Sequence, residues 1–214
     1  LKDIPSENTK GLVLKSFLKR NYPNEVLISN GNLSFKNLKK NSIVGTSSPR
    51  REFQIRLKRP DLIIKLIRGN IDTRISMLRN KNYDAIILAK AGISSLNLEN
   101  LISEEFHCRE IVPSAGQGII ALQAREKDYN ILEILEKINH PKTEIMGKCE
   151  REVLKILGGD CNTAIGVNSK IENQNISIIA ELFSVKGNNR YFCEETGEIN
   201  MYLEIAKKVA GYLK

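Results

Sequence analysis

Residues 42–89 read SIVGTSSPRREFQIRLKRPDLIIKLIRGNIDTRISMLRNKNYDAIILA. Ser42-Ile43-Val44 is a short apolar strand that runs into Gly45-Thr46-Ser47-Ser48. Arg51 to Lys58 reads as a helix, with Phe53, Ile55 and Leu57 set among charges. Leu62 to Ile67 is a second strand, followed by Gly69-Asn70 and a helix from Ile71 to about Arg79. Tyr83 to Ala89 is a third strand. Strands separated by helices of this length form right-handed βαβ units and a parallel sheet, so the stretch predicts an α/β domain.

Downstream of Ala89 a helix-like piece leads to a loop with Pro113, then to Gly116-Gln117-Gly118 ahead of the apolar run Ile119–Leu122. Residues 129–138 and 143–157 read as helices joined through His140-Pro141, and Gly158-Gly159-Asp160-Cys161 breaks the second. Residues 164–167, 176–184 and 190–194 are strands with hairpin-like spacing, and a terminal helix follows over 201–213. Strands grouped together and then a helix predict a small α+β domain.

The 214 residues include 33 Lys and Arg against 25 Asp and Glu, a formal charge of +8 with a pI near 9.3. This balance points to anionic partners. Aromatic residues make up 6%, Trp is absent and no zinc-finger spacing occurs, which argues against nucleic acid. No apolar run approaches the ~20 residues that span a bilayer, and no secretory signal opens the chain, so no membrane partner is expected. The four cysteines, Cys108, Cys149, Cys161 and Cys193, form no C-x-x-C pair. His107 and His140 are not placed to complete a metal site, so reduced thiols and no metal are expected. The opening Leu1-Lys2-Asp3-Ile4-Pro5, without Met, predicts a partial or processed chain.

Gly45-Thr46-Ser47-Ser48-Pro49-Arg50-Arg51 carries the functional signal. Ser48 suits an N-cap and Pro49 the first helical position. Two guanidinium groups beside the positive end of a helix are poorly placed unless an anion occupies the spot. The pattern repeats: Arg68 ends the next strand, Gly69 turns, Asn70 can cap, and Arg74 follows. In a parallel sheet both sites lie on the carboxyl edge, where α/β proteins bind ligands. Forked arginine donors match carboxylates, and no Walker loop is present, so a ligand bearing several carboxylates is expected. The competing reading, solvated surface arginines, is weaker for two clusters at equivalent places.

Residues 44–51 (VGTSSPRR), Arg68-Gly69-Asn70 with Thr73-Arg74, residues 83–88 (YDAIIL), residues 113–118 (PSAGQG), Lys2-Asp3-Ile4-Pro5 and Gly158-Gly159-Asp160-Cys161 stand in order along the chain. This ordered set resembles the porphobilinogen deaminase (hydroxymethylbilane synthase) family; the similarity thins after Val167. The resemblance implies an enzyme that condenses four porphobilinogen units head to tail into hydroxymethylbilane with release of ammonia, in haem biosynthesis. It implies a dipyrromethane cofactor held through a thioether to Cys161, where a Gly-Gly loop precedes a potential thiolate nucleophile. Asp3 matches the catalytic carboxylate. Lys2, Ser48, Arg50, Arg51 and Gln117 carry over as cofactor-binding residues, and Arg68 and Arg74 as substrate-binding residues.

The implied fold has three domains: two α/β lobes like those of periplasmic binding proteins, the first incomplete, and a small C-terminal α+β domain. The expected boundaries are 1–20 with 117–138 for the remainder of the first, 21–116 for the second, and 141–214 for the third, which carries the cofactor cysteine. The family's opening segment, with its own Arg, Ser and Lys ligands, has no counterpart here, so this chain alone is expected to be nearly inactive. Where relatives often carry basic residues after Ala91-Gly92, this chain has Ser94-Ser95. A monomer acting on a small molecule in the cytoplasm is expected, a plastid-type organelle being the alternative. The leading rival in function is a non-enzymatic two-lobed anion-binding module, which needs the arginines but neither Cys161 nor Asp3.

Overall fold

The strand–helix alternation of residues 42–89 is present in space, and two further strands extend its sheet on one side. The computed structural model of the chain describes residues 1–7, 9–159 and 163–214. In chain order the elements are β1 Leu12–Phe17, β2 Glu25–Ser29, β3 Ile43–Gly45, α1 Pro49–Lys58, β4 Ile63–Lys65, α2 Ile71–Arg79, β5 Ala85–Ala89, α3 Lys90–Ser94, β6 Glu104–Glu105 and β7 Ala121–Arg125. They continue with α4 Tyr129–Lys137, α5 Pro141–Ile156, β8 Ile165–Glu172, β9 Asn175–Phe183, β10 Arg190–Glu198 and α6 Tyr202–Leu213. The chain is of mixed α/β class and divides into two units, Tyr22–Ile111 and Leu1–Asn21 with Val112–Lys214.

In the unit Tyr22–Ile111 five strands form one sheet in the order β4-β3-β5-β2-β6. β3 pairs in parallel with β4 and with β5, as the βαβ reading predicts. β2 runs antiparallel to both β5 and β6, so the expected parallel sheet is corrected to a mixed one. Parallel neighbours need a crossover of a dozen or more residues, usually a helix; α1 and α2 supply it for β3, β4 and β5, whereas β2 leads to β3 through residues 30–42, which hold no α-helix, and it runs opposite to those three strands. β5 alternates Ala85 and Ile87 on one face with Ile86 and Leu88 on the other, all buried. The first pair joins Leu27, Val44 and Ile55 of α1; the second joins Val26, Ile28 and, from α2, Ile75 and Leu78. A strand apolar on both faces marks the centre of a sheet covered on both sides.

Both crossover helices start where their caps predict. Ser48 Oγ accepts from the Arg51 amide at 3.5 Å, and Asn70 Oδ1 accepts from the Thr73 amide at 2.9 Å. Gly69 turns the chain with φ +105°, and a Cβ there would lie 2.8 Å from Thr73 Cγ2. Only glycine fits that conformation without strain.

In the other unit β1 pairs antiparallel with β7, and β8, β9 and β10 form an antiparallel meander. Ile176, Ile178 and Ala180 of β9 face Ala206, Val209, Ala210 and Leu213 of α6 and Cys149 and Val153 of α5. The strand period of two meets the helical stripe of 3.6, and burial of these side chains holds the layers together. No helix among the described residues is long and apolar enough to cross a membrane.

One ion pair ties the segments of this unit together. Glu150 of α5 is fully buried, and Arg20 Nη1 meets its Oε1 at 2.6 Å. The same carboxylate accepts from the Gly116 amide at 2.7 Å and from the Ser169 amide and hydroxyl at 2.7 and 2.8 Å. Arg20 donates further to the carbonyls of Gln117 at 3.0 Å and Ser169 at 3.3 Å. Removing one partner of a buried pair strands the other, at a cost of about 3–5 kcal/mol. Glu150→Ala is therefore expected to lower the unfolding free energy of this unit, read from urea titration, by that scale, and Arg20→Met with Glu150→Leu by clearly less. A Glu150→Ala protein as stable as the wild type would show that the pair does not anchor these segments.

Candidate functional site

The predicted residues fall into two constellations, one in each unit. In the unit Tyr22–Ile111 the buried strand end Val44-Gly45 delivers Ser48 to the start of α1, and Arg50 and Arg51 are the second and third residues of that helix. Both arginines are buried, 4% and 7% exposed. Arg50 Nη2 donates to Glu25 Oε1 at 2.6 Å. Arg51 Nη2 lies 2.7 Å from Glu25 Oε2, an ion-pair contact rather than an aligned hydrogen bond, and its Nη1 donates to the Ile87 carbonyl at 3.1 Å.

Burial by itself would push the Glu25 carboxyl up, but the Arg51 and Arg50 guanidinium groups outweigh it and hold the pKa at about 2. Glu25 is thus an anion at neutral pH. Two positive charges and one negative leave this trio at +1. The Nε of Arg51 is buried and has no hydrogen-bond partner among the described residues. One carboxylate beside both arginines is thus supplied by the chain itself, through Glu25. The sequence signal was a lone carboxylate opening the apolar run Glu25-Val26-Leu27-Ile28, which single-strand patterning gives no reason to pair with residues 50 and 51.

The second arginine pair lies on the same sheet edge, because β3 and β4 are parallel neighbours. Arg68 is exposed after β4, and Arg74 is half-buried in α2. Arg74 Nε donates to the Gly69 carbonyl at 2.8 Å. Burial lowers the Arg74 pKa, and the nearby charge of Arg51 lowers it further, so the two clusters are electrostatic neighbours. Like charges gathered in a partly desolvated place favour an incoming anion.

In the other unit Lys2 and Asp3 are exposed corner residues of a turn closed by the Ile4 amide donating to the Leu1 carbonyl at 3.0 Å. Gln117 is buried, and its carbonyl accepts from Arg20. Gly116 has φ +74°, and a Cβ there would come within 2.8 Å of Leu1 Cγ. The 113–118 loop therefore lies against the residue that opens the Lys2-Asp3 turn, which places Gln117 near that turn. Cys161 lies outside the described residues; Gly158 before it takes φ +63°.

Cys149 is fully buried and its thiol donates to the Tyr202 carbonyl at 3.3 Å. Burial and the neighbouring Glu150 push its pKa well above the ordinary thiol range, and burial raises Cys193 as well. Neither has thiolate character, the property a nucleophilic cysteine requires. Among the described residues no cluster of three His, Cys, Asp or Glu side chains could hold a metal ion.

A family model described as porphobilinogen deaminase, dipyromethane cofactor binding domain, matches residues 1–133, and one described as porphobilinogen deaminase, C-terminal domain, matches residues 145–214. Curated relatives include the porphobilinogen deaminase of Syntrophomonas wolfei, 37% identical over 89% of this chain and 62% of that protein. A probable porphobilinogen deaminase of Nitrosopumilus maritimus is 39% identical over 94% and 64%, and the Coxiella burnetii enzyme is 37% identical over 100% and 69%. The chain thus spans slightly under two thirds of the length of the first two. A solved periplasmic binding protein of Salmonella typhimurium with high arginine specificity aligns at TM-score 0.37 and 17% identity, over 57% of this chain and 56% of that one, a likeness too weak to bear on function.

The Glu25 cluster makes a pH prediction. Because its folded pKa lies below the unfolded value of 4.5, the stabilisation is present above about pH 4.5 and is lost as pH falls through about 2. A shift of this size corresponds to on the order of 3 kcal/mol. Urea titrations between pH 6 and pH 2 are expected to show the unit Tyr22–Ile111 losing stability over that window, with a flatter profile in Glu25→Gln. Identical slopes in the two proteins would remove Glu25 as the cause.

Proposed function

Because the chain belongs to the porphobilinogen deaminase family, we propose that it performs the deaminase reaction, the stepwise condensation of four porphobilinogen units into hydroxymethylbilane with loss of ammonia. The observation that carries this reading is the buried Arg50–Glu25–Arg51 trio with its charge of +1 and the unpartnered Nε of Arg51. A cationic, partly unsatisfied guanidinium at a helix start suits the acetate and propionate groups of pyrroles.

The guanidinium groups of Arg50 and Arg51 suit the carboxylates of a dipyrromethane group. Cys161 would carry it as a thioether, and Lys2, Ser48, Arg50, Arg51 and Gln117 would hold its carboxylates, with Arg68 and Arg74 left for the incoming substrate. When bound, that group supplies the nucleophilic pyrrole carbon from which the product grows. Arg51 keeps one bond to the Ile87 carbonyl and its contact with Glu25, so its fork is oriented before any ligand arrives and less ordering is required on binding.

Asp3 acts on the substrate. Departure of ammonia from the aminomethyl group leaves a cationic methylene, which a nearby carboxylate stabilises by charge. The same carboxylate can accept the proton released when the new carbon–carbon bond forms. The proposal includes the three-domain division at 1–20 with 117–138, 21–116 and 141–214, and a monomer working in the cytoplasm.

The mass of the purified protein tests the reading most directly. An adduct of dipyrromethane size, coloured by an acidic aldehyde reagent, is expected in the wild type, Cys149→Ser and Cys193→Ser and absent from Cys161→Ser. An unmodified wild-type mass would favour a non-enzymatic anion-binding module, and an adduct surviving in Cys161→Ser would move the anchor elsewhere. In the holoenzyme Asp3→Asn is expected to keep the adduct and lose ~10²–10³ in ammonia release, the usual cost of one electrostatic stabiliser. Asp3→Glu should retain more. Near wild-type turnover by folded Asp3→Asn would deny the carboxylate a catalytic role.

A further inference from the structure

Among the described residues the turn that carries Asp3 is closed by one backbone hydrogen bond of its own, Ile4 N to Leu1 O, and the first strand is Leu12–Phe17. Helix α5 holds it from outside. Gly147 and Arg151 stand four residues apart on that helix and therefore share a face. The Leu1 side chain is seated against Gly147, where a Cβ would lie 3.0 Å from Leu1 Cδ2. One helical turn on, Arg151 donates through Nη1 to the Ile4 carbonyl at 3.3 Å and through Nη2 to the Ser6 carbonyl at 3.1 Å. One planar fork thus bridges Pro5 and grips the exit of the turn, while the Leu1 contact grips its entry. Lys2 and Asp3 are the two residues between the grips.

Arg151 is an unusual choice for a merely solvated position. It is half-buried, burial lowers its pKa, and no carboxylate of the described residues pairs with it. Its desolvation is offset by two neutral carbonyls, both in the segment that immediately follows Asp3. A lysine has no fork with which to meet two carbonyls at fixed spacing. We infer that Arg151 is a positioning residue: by holding the Ile4 and Ser6 carbonyls it fixes the Lys2-Asp3 turn in the arrangement from which Asp3 acts, without itself touching substrate. This rests on the reading of Asp3 as the catalytic carboxylate. Displacement of a catalytic group by about 1 Å can cost on the order of 10²-fold in rate, so a slackened turn should cost turnover rather than affinity.

The test is a double-mutant cycle in the holoenzyme. Arg151→Leu, which keeps an apolar stem, is expected to lower kcat for ammonia release by ~10–100-fold with KM changed less than about threefold. The pyrrole adduct should be retained and amide exchange at Ile4 should speed up. Arg151→Lys, with one donor head in place of the fork, should recover part of both the rate and the protection; it also serves if the Leu variant fails to fold. In an Asp3→Asn background Arg151→Leu should lower kcat no further, because two changes acting through one group are not additive. Additive losses, a change confined to KM, or unaltered exchange at Ile4 would overturn the positioning role. If Asp3→Asn alone keeps full turnover, the catalytic reading of Asp3 fails instead, a result the single variant reports independently of Arg151.

Discussion

The carboxylate of Glu150 lies fully buried in α5 and receives hydrogen bonds from Arg20, from the Gly116 amide, and from the Ser169 amide and hydroxyl. An ion of this size is costly to remove from water, and only a full complement of donors makes its burial tolerable. Those donors come from three stretches far apart in the chain: the segment leading out of β1, the loop 113–118 and strand β8. Satisfying one carboxylate therefore fixes where each stretch runs. The Gly116 bond sets the loop that abuts Leu1, and the Arg20 bond to the Gln117 carbonyl sets the residue beside it.

Glu25 applies the same constraint in the other unit with a different balance. Glu150 has one guanidinium among its donors; Glu25 has two, and with them a residual positive charge and an unpartnered Nε on Arg51. A carboxylate matched by a single arginine makes an anchor. A carboxylate shared by two arginines orients both of them.

Helix α5 links these roles within its unit. Cys149 and Val153 face the core, Glu150 faces the Arg20 cluster, and Gly147 and Arg151 face the Asp3 segment. Consecutive residues project about 100° apart on a helix, so three neighbouring positions serve three surroundings. The helix ends at Ile156, shortly before the Gly158-Gly159 break. A rigid element thus relates the turn bearing Asp3 to Gly158 and Gly159.

The sequence by itself determined the features set by neighbours along the chain. Ser48 and Asn70 cap the helices they were expected to cap, Gly69 turns where the strand ends, and the apolar run of residues 83–89 reads as a strand. The ordered signatures led to the family, and the place of the arginines at helix starts was legible along the chain. Tertiary structure decided the rest: that the sheet is mixed, because β2 pairs with the free edge of β5 in the opposite sense, and that Glu25 lies between Arg50 and Arg51. It also brought Arg20 to Glu150 across 130 residues and Arg151 to Ile4 across 147. Local periodicity and capping depend on backbone geometry within a few residues, which a sequence displays directly. The partner of a buried charge is chosen by the packing that removes its water, and that packing exists only once the chain has folded.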